Sequence, residues 1–347
     1  MSRLILLLWA ALSLGLTGCG TADEPVHRQQ FFAFGTLVDV SLYGVTQSEG
    51  EQAVRAVEDM FRQDHHLWHA WEPGPLQQLN QAIAAGEPSR APDSIIDLLK
   101  KAQALETSSR GLFNPAIGGL LKAWKFQQDE PGADGAPDRE AMQAVAAQHP
   151  STLQLTLAGN RVTSSNPAVQ LDFGGFAKGY AIGQAIALIN ARGIDNAVVN
   201  AGGDLCVSGR HGRRPWRIGI RDPRGDGVLA SIELAGRDCV FTSGDYERYY
   251  EQDGQRVHHI LDPRTGRPAQ GTRSVTVIDN DPTLADAAAT ALFIAGPGGW
   301  HDIARSMGIR CVLLIDAQGV AHMTPAMAGR VRFTRTDVPV QLSAPLP

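Results

Sequence analysis

The stretch that most constrains this chain is Leu171-Asp172-Phe173-Gly174-Gly175-Phe176-Ala177-Lys178-Gly179-Tyr180. Ahead of it, Ala168-Val169-Gln170-Leu171 is short and apolar-rich and reads as a strand. Behind it, Ile182, Ile186 and Ile189 recur at helical spacing until Arg192-Gly193 closes the helix. Asn196-Ala197-Val198-Val199-Asn200 then reads as a second strand, running into Ala201-Gly202-Gly203-Asp204. Glycines at such a turn let backbone N–H groups approach a ligand, and a helix N-terminus favours an anion, so the stretch suits a phosphate cradle. It suits a tight ligand-free turn as well. It matches neither G-x-G-x-x-G nor G-x-x-x-x-G-K-[ST], which disfavours a Rossmann dehydrogenase and a P-loop NTPase.

With 347 residues, 43% of them hydrophobic, the chain can bury a large core as one big domain or two. A net charge of -5 with no basic run argues against nucleic-acid binding. The N-terminus is an address rather than part of the fold. Arg3 precedes an apolar stretch, residues 4–16, that is too short to span a bilayer. It ends in Leu16-Thr17-Gly18-Cys19, which resembles a bacterial lipoprotein signal with Cys19 as the lipidated residue; the alternative is an ordinary secretory signal cleaved nearby. Gly20 is not Asp, so the inner-membrane retention cue is missing. Residues 1–18 are thus expected as a signal peptide, 19–30 as a polar tether and 31–340 as a single two-lobed domain working outside the cytoplasm.

Three further cysteines remain, and Cys206 and Cys239, in apolar strand-like surroundings, read as buried free thiols. No cysteine spacing suggests a metal site. Phe34-Gly35-Thr36-Leu37-Val38-Asp39-Val40-Ser41-Leu42 alternates like a half-buried strand, and Thr46-Gln47-Ser48-Glu49 is a capping box opening a helix. In Asp64-His65-His66-Leu67-Trp68-His69-Ala70-Trp71 three histidines invite a metal reading, but no carboxylate or cysteine pattern completes it, and a polar helix end is the reading adopted. Residues 94–109 form a clean amphipathic helix and 117–124 a shorter one, while 127–139 read as an exposed loop. Strand-like segments at 216–220, 230–234 and 239–242 follow. A run of strands after mixed elements points to an α+β fold, a largely antiparallel sheet core surrounded by helices.

The chemistry gathers late in the chain. Val257-His258-His259-Ile260-Leu261-Asp262-Pro263 reads as a strand leaving through a turn, where only one of the two histidines faces a site. In the alanine-rich helix that begins at Asp281-Pro282-Thr283 and runs to Gly296, Asp286 and Thr290 stack on one face. Both offer hard oxygens, as Mg2+ requires. The pair equally fits a threonine bonded back to its own helix and an aspartate near a helix start.

Taken in order, these segments resemble one family, the ApbE-type FAD:protein FMN transferases. The matching signatures are Phe34-Gly35-Thr36, Phe113-Asn114-Pro115, the 171–180 stretch, Asn200-Ala201-Gly202-Gly203-Asp204, Thr242-Ser243-Gly244-Asp245-Tyr246, the segment from His259 to Gly266, and Ala285-Asp286 with Thr290. The resemblance implies transfer of FMN from FAD to a threonine hydroxyl of an acceptor protein through a phosphoester, with release of AMP. It implies Mg2+ held by Asp286, Thr290 and the carbonyl of Gly175, and FAD as substrate contacted by Asp172 and Lys178. Phe34, Leu112, Phe113, Asn114 and Ile260 match positions lining the FAD cleft, and Trp71 is placed to stack on the flavin. His259 is the expected base, with a carboxylate beside Mg2+, Asp286 foremost, as its rival. An acceptor such as a periplasm-facing, flavin-carrying subunit of a membrane electron-transfer complex is implied too. The chain departs from the family at Phe34, where many members carry Met, and at Asn114, where Asp is usual. It also lacks the Ser-Glu pair that follows the position of Trp71 in many members. An Mg2+-dependent FAD pyrophosphatase and a passive periplasmic FAD-binding lipoprotein are the competing readings.

Overall fold

The structure is a computed structural model that describes residues 26–128, 130, 137–252 and 254–347. The signal peptide, Cys19 and most of the loop expected at 127–139 lie outside the described residues. Nine strands form the central sheet: β1 (Val26–Ala33), β2 (Thr36–Tyr43), β3 (Ala197–Ala201), β4 (Asp204–Ser208), β5 (Cys239–Gly244), β6 (Thr272–Asp279), β7 (Cys311–Asp316), β8 (Ala321–Met323) and β9 (Val340–Leu342). They lie side by side in chain order, antiparallel throughout except for the β8–β9 pair. The fold is α+β. β1 begins at Val26, so residues 26–30 of the stretch expected as tether are strand, paired with β2.

Side chains alternate across this sheet and divide the core in two. Val199, Phe241, Val277 and Leu314 face the helices, whereas Val198, Val240, Ile278 and Leu313 face a small sheet made of Trp216–Arg221, Val228–Leu234 and Val331–Phe333. The helical layer comprises α1 (Gln47–Trp68), α2 (Pro75–Ala85), α3 (Asp93–Ser108), α4 (Gly118–Ala123), α5 (Arg139–Ala147), α6 (Ala177–Asn190) and α7 (Pro282–Met307). Thr46 and Glu49 cap α1 reciprocally, as the capping-box pattern requires. α7 breaks at Gly296, where φ is 68°, before Pro297 starts its second segment. No described helix is long and apolar enough to cross a membrane.

Two expectations are corrected. Cys206 and Cys239 are not free thiols: they face each other across the β4–β5 register and are joined as a disulfide. A separation of 33 positions conceals a pairing that only the register reveals. Residues 168–171, expected as a strand, make a single bridge, Gln170 to Ile117, and join no ladder. What fixes the segment is a side chain. Asn80 on α2, itself buried, donates from Nδ2 to the Leu171 carbonyl at 2.9 Å and accepts from the Leu171 amide at 2.7 Å. This amide imitates a neighbouring strand and satisfies both backbone groups where no strand is present. Asn80→Ala is expected to lower the unfolding free energy by about 1–3 kcal/mol by orphaning the buried pair. A urea denaturation curve reads this, and an unchanged midpoint would show that the clamp is dispensable.

Candidate active site

The glycine turn delivers the chain into α6, and Asp286 meets it there. The N-cap residue Phe176 has no side-chain acceptor, so the first-turn amides of α6 need one from elsewhere. Asp286 Oδ2 supplies it, accepting from the Gly179 amide at 2.8 Å. Its own helix is capped separately by Asp281, whose Oδ1 accepts from Thr283 and Leu284 at 2.9 and 3.1 Å. Asp286 is therefore a cap for α6 and not for α7. The approach demands glycine: a Cβ on Gly179 would lie 2.3 Å from the Pro282 carbonyl oxygen and 2.8 Å from Asp286 Cβ.

One turn along α7, the Thr290 hydroxyl lies 3.2 Å from Ser243 Oγ on β5. A Cβ built on Gly175 would come within 4.0 Å of that hydroxyl and 3.3 Å of the Phe113 ring edge. Asp286, Thr290 and the Gly175 backbone thus converge at the start of α6, and every donor they offer is oxygen. That set fits a hard divalent cation such as Mg2+.

Around it sits a charge cluster. Lys178 pairs with Asp204, whose other oxygen accepts from the Thr242 amide at 2.9 Å. Burial alone would lower the Lys178 pKa, but Asp204, aided by Glu247 and Asp286, holds the ammonium well above its ordinary value. The Asp286 carboxyl is raised well above the usual carboxylate range by burial and then by Asp204, against Lys178 and the Gly179 amide. Burial likewise pushes Glu247 up to about 7, with Lys178 opposing. Three carboxylates round one ammonium leave negative charge in surplus, and a bound dication would relieve it.

His259 stands at the end of the strand Gln255–His258, its Nδ1 3.2 Å from the Arg248 carbonyl and its ring against Phe126. The surrounding protein, then the Arg248 guanidinium, pushes its pKa down to about 3. Its neighbour His258 is buried against Phe293 and the Ala269 carbonyl.

The other expected residues divide. Asp172 lies in the turn, accepting from the Gly174 amide at 2.9 Å and from Gln127 at 3.3 Å. Trp71 lies under the Arg248 guanidinium, 5.4 Å from the ring centroid, which links it to the His259 segment. Phe34 stacks with Trp68, which meets Tyr180 edge-on. Leu112, Phe113 and Ile260 are buried in the core. Asn114 is engaged by the Pro150 carbonyl and the Ala116 amide. Sequence reasoning assigned no role to Asn80, Asp204, Ser243 or Glu247. Asp204 and Ser243 stood inside quoted motifs, and only a third dimension adds their partners.

A model of the ApbE family matches residues 34–313. The chain belongs to the ApbE family. It is 42% identical to the FAD:protein FMN transferase of Rhodobacter capsulatus over 97% of this chain and 67% of that protein. It is 33% identical to that of Treponema pallidum over 81% of this chain and 82% of that protein. Among solved structures, the ApbE protein of Thermotoga maritima superposes with a TM-score of 0.80 at 31% identity, covering 90% of this chain and 100% of that one. The apo flavinyl transferase ApbE of Pseudomonas stutzeri gives 0.77 at 29% identity, covering 90% and 98%.

Two outcomes follow for this ApbE-family site. Gly179→Ala is expected to push α7 away and displace Asp286, lowering turnover about 100-fold in a chain that keeps its far-UV dichroism; near-normal turnover would mean the contact is not needed. For His259, the native ring refuses a proton that the unfolded chain accepts below its ordinary value of 6.5. Stability contributed here is present above that value and is lost as pH falls towards about 3. An NMR titration is expected to show this ring neutral from about pH 5 to 8, and a midpoint inside that window would contradict the assignment.

Proposed function

We propose that this chain is an FAD:protein FMN transferase that requires Mg2+, moves FMN from FAD to a threonine hydroxyl of an acceptor protein and releases AMP. The observation that carries this reading is the convergence of Asp286, Thr290 and the Gly175 backbone at the N-terminus of α6, with Lys178 beside them. An oxygen-only set next to a helix N-terminus and a fixed ammonium suits a diphosphate. The names carried by the relatives from Rhodobacter capsulatus and Treponema pallidum support the same chemistry.

In the reaction, the threonine oxygen forms a bond to the FMN phosphorus while the P–O bond to AMP breaks, and AMP leaves with the bridging oxygen. Mg2+, when bound, neutralises charge on the diphosphate. Lys178, pinned by Asp204, adds a fixed positive charge on the same side. The threonine proton goes to a carboxylate of the Asp204–Glu247–Asp286 cluster. Glu247 is poised for this, since its carboxyl titrates at about 7. His259 binds too weakly to protons for that task; with Nδ1 directed at the Arg248 carbonyl, its Nε2 orients the acceptor hydroxyl. Asp172 and Trp71 hold the FAD, Trp71 by stacking.

Lipidation at Cys19 would tether the enzyme to a membrane facing the periplasm. The Cys206–Cys239 disulfide supports an oxidising compartment. On chemical grounds the acceptor carries an exposed threonine on that side of the membrane.

The test uses the chain after Cys19 with FAD, Mg2+ and a threonine-bearing acceptor. Mass spectrometry is expected to show an FMN-sized gain on the acceptor with equimolar AMP, both abolished by EDTA. AMP and free FMN without labelling would favour the pyrophosphatase, and intact bound FAD the carrier.

A further inference from the structure

The three histidines at the end of α1 read from sequence as a polar helix end, because nothing nearby completed a ligand set. The fold completes it. α1 stops at Trp68, His69 takes an extended conformation, and the chain doubles back at once. Gly74 permits this, since a Cβ there would sit 2.7 Å from the His66 carbonyl oxygen. The reversal brings Glu72 to the histidines: one ligand atom each from His65, His69 and Glu72 lies within 4.8 Å of the others. His69 Nε2 and Glu72 Oε1 are 3.6 Å apart, close to the edge of about 3.3 Å spanned by two ligands on one tetrahedral zinc ion. His65 meets His69 ring to edge at 5.0 Å, so a rotamer adjustment brings its nitrogen in.

The His69 ring is under competing demands. The Trp71 indole Nε1 lies 2.6 Å from Nε2, and the Glu72 amide lies 3.0 Å from Nδ1. Both are donors, and a neutral imidazole has one lone pair. One donor must give way. An ion on Nε2 sends the ring proton to Nδ1, evicts the indole, and lets the Glu72 amide turn aside as its carboxylate swings in. Glu72 is 65% exposed and free to do so.

We propose that His65, His69 and Glu72 form a second metal site, for a zinc-class divalent ion, on the Trp71 side of the cleft, and that filling it releases Trp71 from His69. Two imidazoles and a carboxylate form a borderline set with a fourth position open, which suits Zn2+ and its neighbours in the first transition row. Mg2+ selects oxygen and stays with the Asp286 cluster. Since Trp71 also touches Arg248, occupancy here would be felt at the His259 segment.

The experiment is calorimetric titration of Zn2+ into chelator-stripped protein holding excess Mg2+, with tryptophan fluorescence followed in parallel. One Zn2+ per chain is expected, weakened more than about tenfold by His65→Ala and by Glu72→Gln, and unchanged by Asp286→Asn. The fluorescence change on adding zinc is expected to vanish in Trp71→Phe. Glu72→Gln alters an exposed side chain and tests the site even if His65→Ala fails to fold. Absence of saturable binding, equal binding in Glu72→Gln, or loss of binding in Asp286→Asn would overturn the second site. Zinc binding with the fluorescence change retained in Trp71→Phe would overturn the release of Trp71.

Discussion

The contact on which the site depends is one hydrogen bond between two helices, from the Gly179 amide to Asp286 Oδ2. Through it α7 supplies the cap that α6 lacks, and the price of a buried carboxylate is partly offset by a charge-assisted bond. Geometry follows from it. With Asp286 seated on the first turn of α6, Thr290 falls one turn further on, beside Gly175 and Ser243. Gly183 repeats the close approach, since a Cβ there would lie 2.7 Å from the Pro282 ring. Two glycines four apart therefore set the depth at which α7 docks, and the docking depth sets where Asp286 and Thr290 stand.

The electrostatics depend on the same contact. Asp204 reaches in from β4, Glu247 from the segment after β5 and Lys178 from α6, so three separate elements deliver charge to one place. In water such a cluster would scatter; here the Thr242 amide holds Asp204 and Asp204 holds Lys178. Excess negative charge is costly in a low-dielectric cleft, and the weakened acidities of Asp286 and Glu247 express that cost. A site built this way has an incentive to take up a cation.

Much of this was legible in the sequence, for physical reasons. Period and caps placed the helices: Thr46 with Glu49, Asp281 with Pro282, and the 94–109 stripe all declare themselves locally. Asp286 and Thr290 stood out because helical spacing stacks them. What could not be read were relations across the chain. The Cys206–Cys239 register, the clamp of Asn80 on Leu171, and the return of Glu72 to His69 join residues whose sequence contexts are unremarkable. The His259 environment was not legible either, because its acidity depends on burial and on Arg248, which no local pattern reveals.

The proposed function requires Asp286 to act as an anion at a metal and not merely as a cap. Asp286→Asn separates the two roles, because the amide oxygen still accepts from Gly179 while the charge is gone. The measurement is FMN transfer to the acceptor by this variant across a range of Mg2+ concentrations, alongside its thermal midpoint. A midpoint at or above that of the parent is expected, with transfer lost and not restored by raising Mg2+. A variant that keeps its fold and still transfers FMN at the parent rate would contradict the proposed function.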